Sequence, residues 1–217
     1  MIFAPLGCLA AILLFLSLPV ILALFFLNVL TFSFGELGLG PQSAFALILA
    51  MLIGSLINIP LTRHRVAYKV PSTMRGLFEP PPPAYSGIAL NLGGAIIPLG
   101  LCIYLGTLVP SLVQVAIATA VMAAVSKALS RVVPGRGIVL PVFVPPVLSA
   151  LLALLLAPAF AAPCAYIAGT MGVLIGADLF NLHRLRGFPG MVSIGGAGVF
   201  DGIFLVGIVA VLLTALA

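Results

Sequence analysis

The sequence contains two aspartates, Asp178 and Asp201, and both fall in one stretch, GADLFNLHRLRGFPGMVSIGGAGVFDGIF, from Gly176 to Phe204. A basic loop with Arg184 and Arg186 separates them, and each sits a short way inside an apolar run. An aspartate at the centre of a translocated helix costs about 2.5–3.5 kcal/mol, so it marks a functional site by default. Two carboxyls that face each other in a low-dielectric setting do not both ionise easily. One holds the proton while the other activates water, the arrangement of an aspartic-protease dyad that titrates as a pair. Glycine lets a peptide backbone come close to such a dyad. Gly195, Gly196, Gly198 and Gly202 flank Asp201, and Gly176 precedes Asp178. The same carboxyls also suit a proton or cation site in a small secondary transporter built around interrupted helices.

Other polar residues surround this pair in the sequence. Asn91, Gly93 and Gly94 stand in NLGGA near the start of an apolar run, and Asn181 follows Asp178 by three residues. Asn28, Asn58, Asn91 and Asn181 are candidates for cavity lining or for interhelical hydrogen bonding. Lys127 and Arg131, at i and i+4, are expected to snorkel together to the membrane edge, with a pairing of Lys127 to one aspartate as the alternative. His183 lies five residues after Asp178, but no HExxH or comparable cluster accompanies it, so no metal is expected. No cofactor is expected either: the chain has no P-loop, nucleotide fingerprint or Ser-His-Asp set. Cys8, Cys102 and Cys164 form no CxxC and lie in separate apolar runs, which argues against a disulfide framework or thiolate metal site.

The elements that must position these groups are apolar throughout. Of 217 residues 63% are hydrophobic and 6% charged, with a mean hydropathy of +1.38; a soluble domain carries roughly 25% charged residues. Recurring runs of about 20 apolar residues each match the length needed to cross a hydrocarbon core as a helix. Continuous apolar runs exclude a transmembrane barrel, whose strands alternate. The expected fold is an all-α, single-domain polytopic bundle over 1–217 with seven spans, at 5–30, 42–62, 87–109, 111–130, 141–158, 162–183 and 193–216. MIFAPLGCLA lacks the basic segment of a signal peptide, so the first span is expected to be retained.

Charge placement orients this bundle. Arg63, Arg65, Lys69 and Arg75, then Lys127, Arg131 and Arg136, then Arg184 and Arg186 all fall on one side of the seven spans. The connections on the other side, around Phe34–Pro41, Pro110 and Pro158–Pro163, carry no Lys or Arg. The positive-inside rule makes the basic side cytoplasmic, with the N-terminus inside and the C-terminus outside. The net charge of +5 therefore reflects the lipid bilayer as partner, not nucleic acid. The loop 63–86 is basic and ends in Pro80–Pro83, a short polyproline II segment. At about 1.5 Å per helical residue, Asp178 lies about 9 Å above the Arg184 edge and Asp201 about 12 Å from Ser193, so the two carboxyls sit at similar depth.

Helix-weakening residues cluster near the basic side: Asn91 to Gly94 and Pro98, then Pro141, Pro145 and Pro146, then Gly195, Gly196 and Gly198. They serve either close helix packing or broken helices around a polar cavity. A faint internal repeat runs through the same places. LIGSLINIPLTRHR (Leu52–Arg65) resembles LIGADLFNLHRLR (Leu174–Arg186), and NLGGA resembles SIGGA at Ser193. Only the second copy carries aspartates.

The segments GTMGVLIGADLFNL and GGAGVFDGIFLVGIVAVLLT, with NLGGAIIPLG and PVFVPPVLSALLALLL, resemble an uncharacterised prokaryotic membrane family, domain of unknown function 1614. That likeness implies the inner membrane of a prokaryote and no established activity. The order aspartate, cytoplasmic loop, aspartate on successive spans also resembles intramembrane aspartyl proteases of the presenilin and signal peptide peptidase type. In those the second aspartate ends a GxGD motif; here Val199 and Phe200 separate Gly196-Ala-Gly198 from Asp201. This resemblance implies Asp178 and Asp201 as catalytic residues and a transmembrane peptide as substrate. Three functions remain open: an intramembrane aspartyl-type hydrolase, a transporter of a small ion or solute, and a structural or assembly protein.

The orientation is testable by labelling. In a cysteine-free background, Arg75→Cys is expected to react with a membrane-impermeant maleimide only in inverted vesicles, and Glu36→Cys only in right-side-out cells. The reverse pattern would overturn the orientation.

Overall fold

The computed structural model describes residues 3–65, 85–133, 137–185, 190–196 and 202–217. It is mostly helical, with helices α1 (Phe3–Gly35), α2 (Pro41–Gly54), α3 (Ile97–Leu108), α4 (Leu112–Leu129), α5 (Val144–Leu156), α6 (Ala161–Val173) and α7 (Gly202–Ala215). Among the described residues, three helical stretches are long and apolar enough to cross a membrane: Phe15–Gly35, Leu112–Leu129 and Pro158–Arg184. Large apolar side chains face outward on them, including Phe15 and Phe25 on α1 and Val113 on α4. A soluble surface seldom carries apolar patches on that scale.

Three of the expected spans are not continuous helices. The second, expected over 42–62, ends at Gly54, and Asn58–Arg65 form strand β1. The third begins as strand β2 (Tyr85–Asn91) and passes through a π-helical turn, Leu92–Ile96, before α3. The seventh, expected from 193, begins as strand β5 (Gly190–Ile194), and α7 starts at Gly202. These strands form one sheet in the order β1-β2-β5, with β1 antiparallel and β5 parallel to β2. A short hairpin of β3 (Arg131–Val133) and β4 (Gly137–Val139) stands beside it, with Gly137 against Val192 of β5. The sheet and hairpin thus share the end of the bundle that bears Arg63, Arg65, Arg131 and Arg184.

Local chemistry explains these breaks. Pro60 has no N–H to continue a helix or a central ladder, so it confines its strand to a sheet edge or a bulge. β1 is an edge strand, and its register shifts between Pro60 and Thr62. Pro145 and Pro146, read from sequence as helix-weakening, instead lie in the first turn of α5, where a missing N–H leaves no intrahelical bond unmade, and Pro98 directly follows the π turn, where the helical ladder is already irregular. In the β2–α3 turn, a Cβ on Gly93 would collide with the Met51 carbonyl and the Ser55 amide of α2. Close backbone approach at that corner therefore requires glycine.

At the centre of the bundle α6 is buried on nearly every side and packs against α4, α5, α7 and α3. Its buried face is built from small residues, among them Ala161, Ala165, Ala168, Gly169 and Gly172. Small residues let helix backbones come close, the main source of attraction where lipid removes the hydrophobic drive. Tyr166 fills the space toward Phe34 of α1, ring centroids 6.2 Å apart and edge to face. A second, smaller apolar cluster of Val173, Ala177 and Val206 lies at the basic end, covered by Ile138 and Leu140 after β3.

The repeat seen in the sequence is carried only in its returning half. After LIG the first copy becomes a strand, whereas the second stays helical through a π turn (Leu174–Asp178) and a 3-10 segment (Leu179–Leu185). Both returns leave a strand, and those strands pair with Leu90 beside Ile194. The glycine corners are therefore offset by two residues, and Gly195 rests on Gly94 and Ala95.

Gly93→Ala is expected to destabilise the protein by about 1–3 kcal/mol, the usual range for overpacking, while Gly100→Ala, on an open face of α3, is neutral or stabilising by up to about 1 kcal/mol. Thermal unfolding in mild detergent measures both; equal effects would refute the close approach at the sheet corner.

Candidate functional site

Asp178 is the last residue of the π turn that ends α6. A π turn inserts an extra residue into the helical ladder and re-aims the side chains after it, which is why such turns recur at functional sites. The carboxylate is partly buried. Its Oδ2 accepts a hydrogen bond from the backbone N–H of Gly195 at 3.1 Å. That bond joins the end of α6 to the corner after β5. Gly195 and Gly196 have φ of 82° and 85°, a left-handed backbone that side-chain-bearing residues rarely adopt. A Cβ on Gly195 would also meet Ala95, so both conformation and space require glycine where the carboxylate is bound.

Asp201 and Gly198 lie outside the described residues, and Gly202 is the first residue of α7. Of the sequence-derived site, the structure therefore brings together Asp178, Gly176, Gly195 and Gly196 at the basic end. Gly94 touches this group through Gly195.

Asn91 belongs to the adjoining sheet corner and is fully buried. Its Oδ1 caps the π turn by accepting from the Gly94 N–H at 2.6 Å, and its Nδ2 donates to the Ser55 carbonyl at 2.7 Å and to Asn58 Oδ1 at 3.1 Å. Ser193 Oγ donates to the same Asn58 oxygen, joining β5 to β1 across the end of β2. Ile194 alone separates Ser193 from Gly195, so this polar cluster holds the strand that presents the Asp178 donor. Asn58, a candidate for cavity lining or interhelical hydrogen bonding, instead pairs with Asn91 across the sheet, whereas Ser193 was not singled out as a site residue, because its place beside Ala89 is visible only from the register.

Asn181 is also fully buried. Its Nδ2 donates to the Ala177 carbonyl at 2.7 Å and to Ser130 Oγ at 2.8 Å. Lys127 Nζ reaches the 3-10 segment at the basic end, donating to the Phe180 carbonyl at 2.6 Å and to Asn181 Oδ1 at 2.7 Å. The reason is proximity. Gly176 lies so close to α4 that a Cβ there would collide with the Ala123 carbonyl, which brings the last turn of α4 within reach of the 3-10 segment. His183 is exposed, and among the described residues no three His, Cys, Asp or Glu side chains gather as a metal site would require.

The site is thus a carboxyl held by the backbone N–H of a glycine corner, one residue beyond Ala177 of the apolar cluster with Val173 and Val206. Such a group can act as a general acid or base if a second acid or a water completes it, or as one station of a proton or cation path. Comparison with known proteins bears on the family alone: the model described as protein of unknown function (DUF1614) matches residues 52–213. No curated protein and no solved structure matches the chain.

Asn91→Ala should cost about 1–3 kcal/mol, because it leaves a buried donor and acceptor unpaired, and Ser193→Ala less. Unfolding midpoints in detergent test this order; a neutral Asn91→Ala would show that the cap does not hold the corner.

Proposed function

The chain belongs to the DUF1614 family, and because that membership carries no assigned activity, we propose from the site that it is a multi-pass inner-membrane protein acting as an intramembrane aspartyl-type hydrolase. Asp178 and Asp201 are its two acids and a transmembrane peptide is its substrate. In this reading the basic end faces the cytoplasm, as the positive-inside rule directs, and the site lies just inside the membrane there. The observation that carries the proposal is the Asp178–Gly195 hydrogen bond. It ties one acid to the glycine corner from which the chain runs through Asp201 into α7.

The chemistry follows from two acids in different protonation states. The ionised carboxyl takes a proton from a water as that water's oxygen adds to the scissile carbonyl carbon. The protonated carboxyl gives its proton to the carbonyl oxygen. Collapse of the tetrahedral intermediate breaks the C–N bond, and the amine leaves with a proton from the dyad, so one amide and one water become one acid and one amine. A glycine-lined corner suits this step because a substrate backbone must come close to the acids.

A second reading has its own observation in favour. Helical structure is interrupted by π turns at Leu92–Ile96 and Leu174–Asp178, and interrupted helices surround the ion sites of many secondary transporters. In that reading Asp178 and Asp201 carry a coupling proton or cation.

Purified protein in liposomes is expected to cleave a labelled transmembrane peptide, and Asp178→Asn and Asp201→Asn each to lower the rate at least about 100-fold, the lower range for loss of a general acid or base. Cleavage that survives both substitutions ends the hydrolase reading. No cleavage by the unaltered protein, with ion-driven uptake that each substitution abolishes, establishes the transporter instead.

A further inference from the structure

Residues on both sides of Asp178 are fastened to α4. Upstream, Gly176 packs on the Ala123 backbone, and the Ala177 carbonyl accepts from Asn181. Downstream, the Phe180 carbonyl and Asn181 Oδ1 both accept from Lys127 Nζ. The fastening closes on itself: Asn181 Nδ2 donates to Ser130 Oγ, and Ser130 Oγ donates to the Lys127 carbonyl at 2.9 Å. Lys127 thus anchors a ring of hydrogen bonds between the last turn of α4 and the segment after the π turn.

The ring answers a specific need. Where α6 passes from a π turn to a 3-10 segment, the hydrogen-bond spacing changes from i+5 to i+3, and carbonyls near the junction lose regular partners. An ammonium supplies several donors in one place and complements the negative end of a helix. The register also makes Lys127 the natural source. α4 and α6 run the same way toward the basic end; Ala123 meets Gly176, and one turn further each chain reaches Lys127 and Phe180 respectively.

We infer that Lys127 is a positioning residue for Asp178: by holding the Phe180 carbonyl and Asn181, it sets the carboxylate against the Gly195 N–H. Its ammonium acts through the backbone around Asp178 and takes no part in proton transfer. This deepens the proposed function, since it names what orients one of the two acids, but its geometry can be read without any substrate.

The test is hydrogen exchange of the full-length protein in detergent, followed at the Gly195 amide and at the buried amides Ala165–Thr170 of α6, for Lys127→Met, Lys127→Arg and Ser130→Ala. Lys127→Met is expected to speed exchange at Gly195 at least tenfold with the α6 amides unchanged, Lys127→Arg to restore most of the protection, and Ser130→Ala to give a smaller rise. Unchanged exchange at Gly195 in folded Lys127→Met overturns the inference, as does an equal rise through α6, which marks general destabilisation. Should Lys127→Met not fold, Ser130→Ala decides: no rise at Gly195 overturns it. Where peptide is cleaved, Lys127→Met lowers kcat at least tenfold with KM within twofold, and a fall in kcat without a change at Gly195 also overturns it. Absence of cleavage by the unaltered protein would sink the hydrolase reading and leave the exchange result standing.

Discussion

A helix that stops in apolar surroundings releases backbone N–H and C=O groups that neither lipid nor hydrocarbon side chains can satisfy. The basic end of this protein is organised around that constraint. The α2 end hands its chain to a strand, and Leu92 N–H bonds the Ile57 carbonyl there. Asn91 takes up the Ser55 carbonyl and the Gly94 amide. Asn181 and Lys127 take up carbonyls of Ala177 and Phe180. The Gly195 amide, left by a corner that no strand continues, goes to Asp178. One aspartate is therefore part of the solution to a backbone problem as well as a candidate reactive group.

Close packing is what lets so few side chains do this. The small-residue face of α6 brings its neighbours near enough for the α4 backbone to touch Gly176. A larger residue there would push the helices apart and take Lys127 out of range of Phe180. The sheet works the same way from the opposite side, where Gly93 lets β2 turn against α2 and Gly195 rests on Ala95. Asp178 stands between these two fastenings, one from the helical bundle and one from the sheet.

Much of the site was legible in the residues themselves. Asp178 stands out because carboxyls are rare in so apolar a chain, Asn91 and Asn181 because polar residues are scarce as well, and the glycines because they sit where apolar runs are interrupted. The strands were hidden because a short apolar run suits a strand as well as the end of a membrane helix, and hydropathy does not distinguish them. Pro60, before Leu61 and Thr62 in NIPLTRHR, was the available sign that the second run could not remain helical. The partners of Lys127 were hidden because they are 53 and 54 residues away in sequence.

By itself, the sequence determined the apolar helical character, the gathering of basic residues at one end, the family and the places where helices would be interrupted, because composition and local residue type act within a few positions along the chain. Tertiary structure decided that the interruptions become a three-stranded sheet, that the two glycine corners meet with a two-residue offset, and that Asp178 is held by Gly195 while Lys127 holds the chain around it. Each of those depends on which backbone groups come within hydrogen-bonding distance across long stretches of chain, and that follows only once the helices have packed.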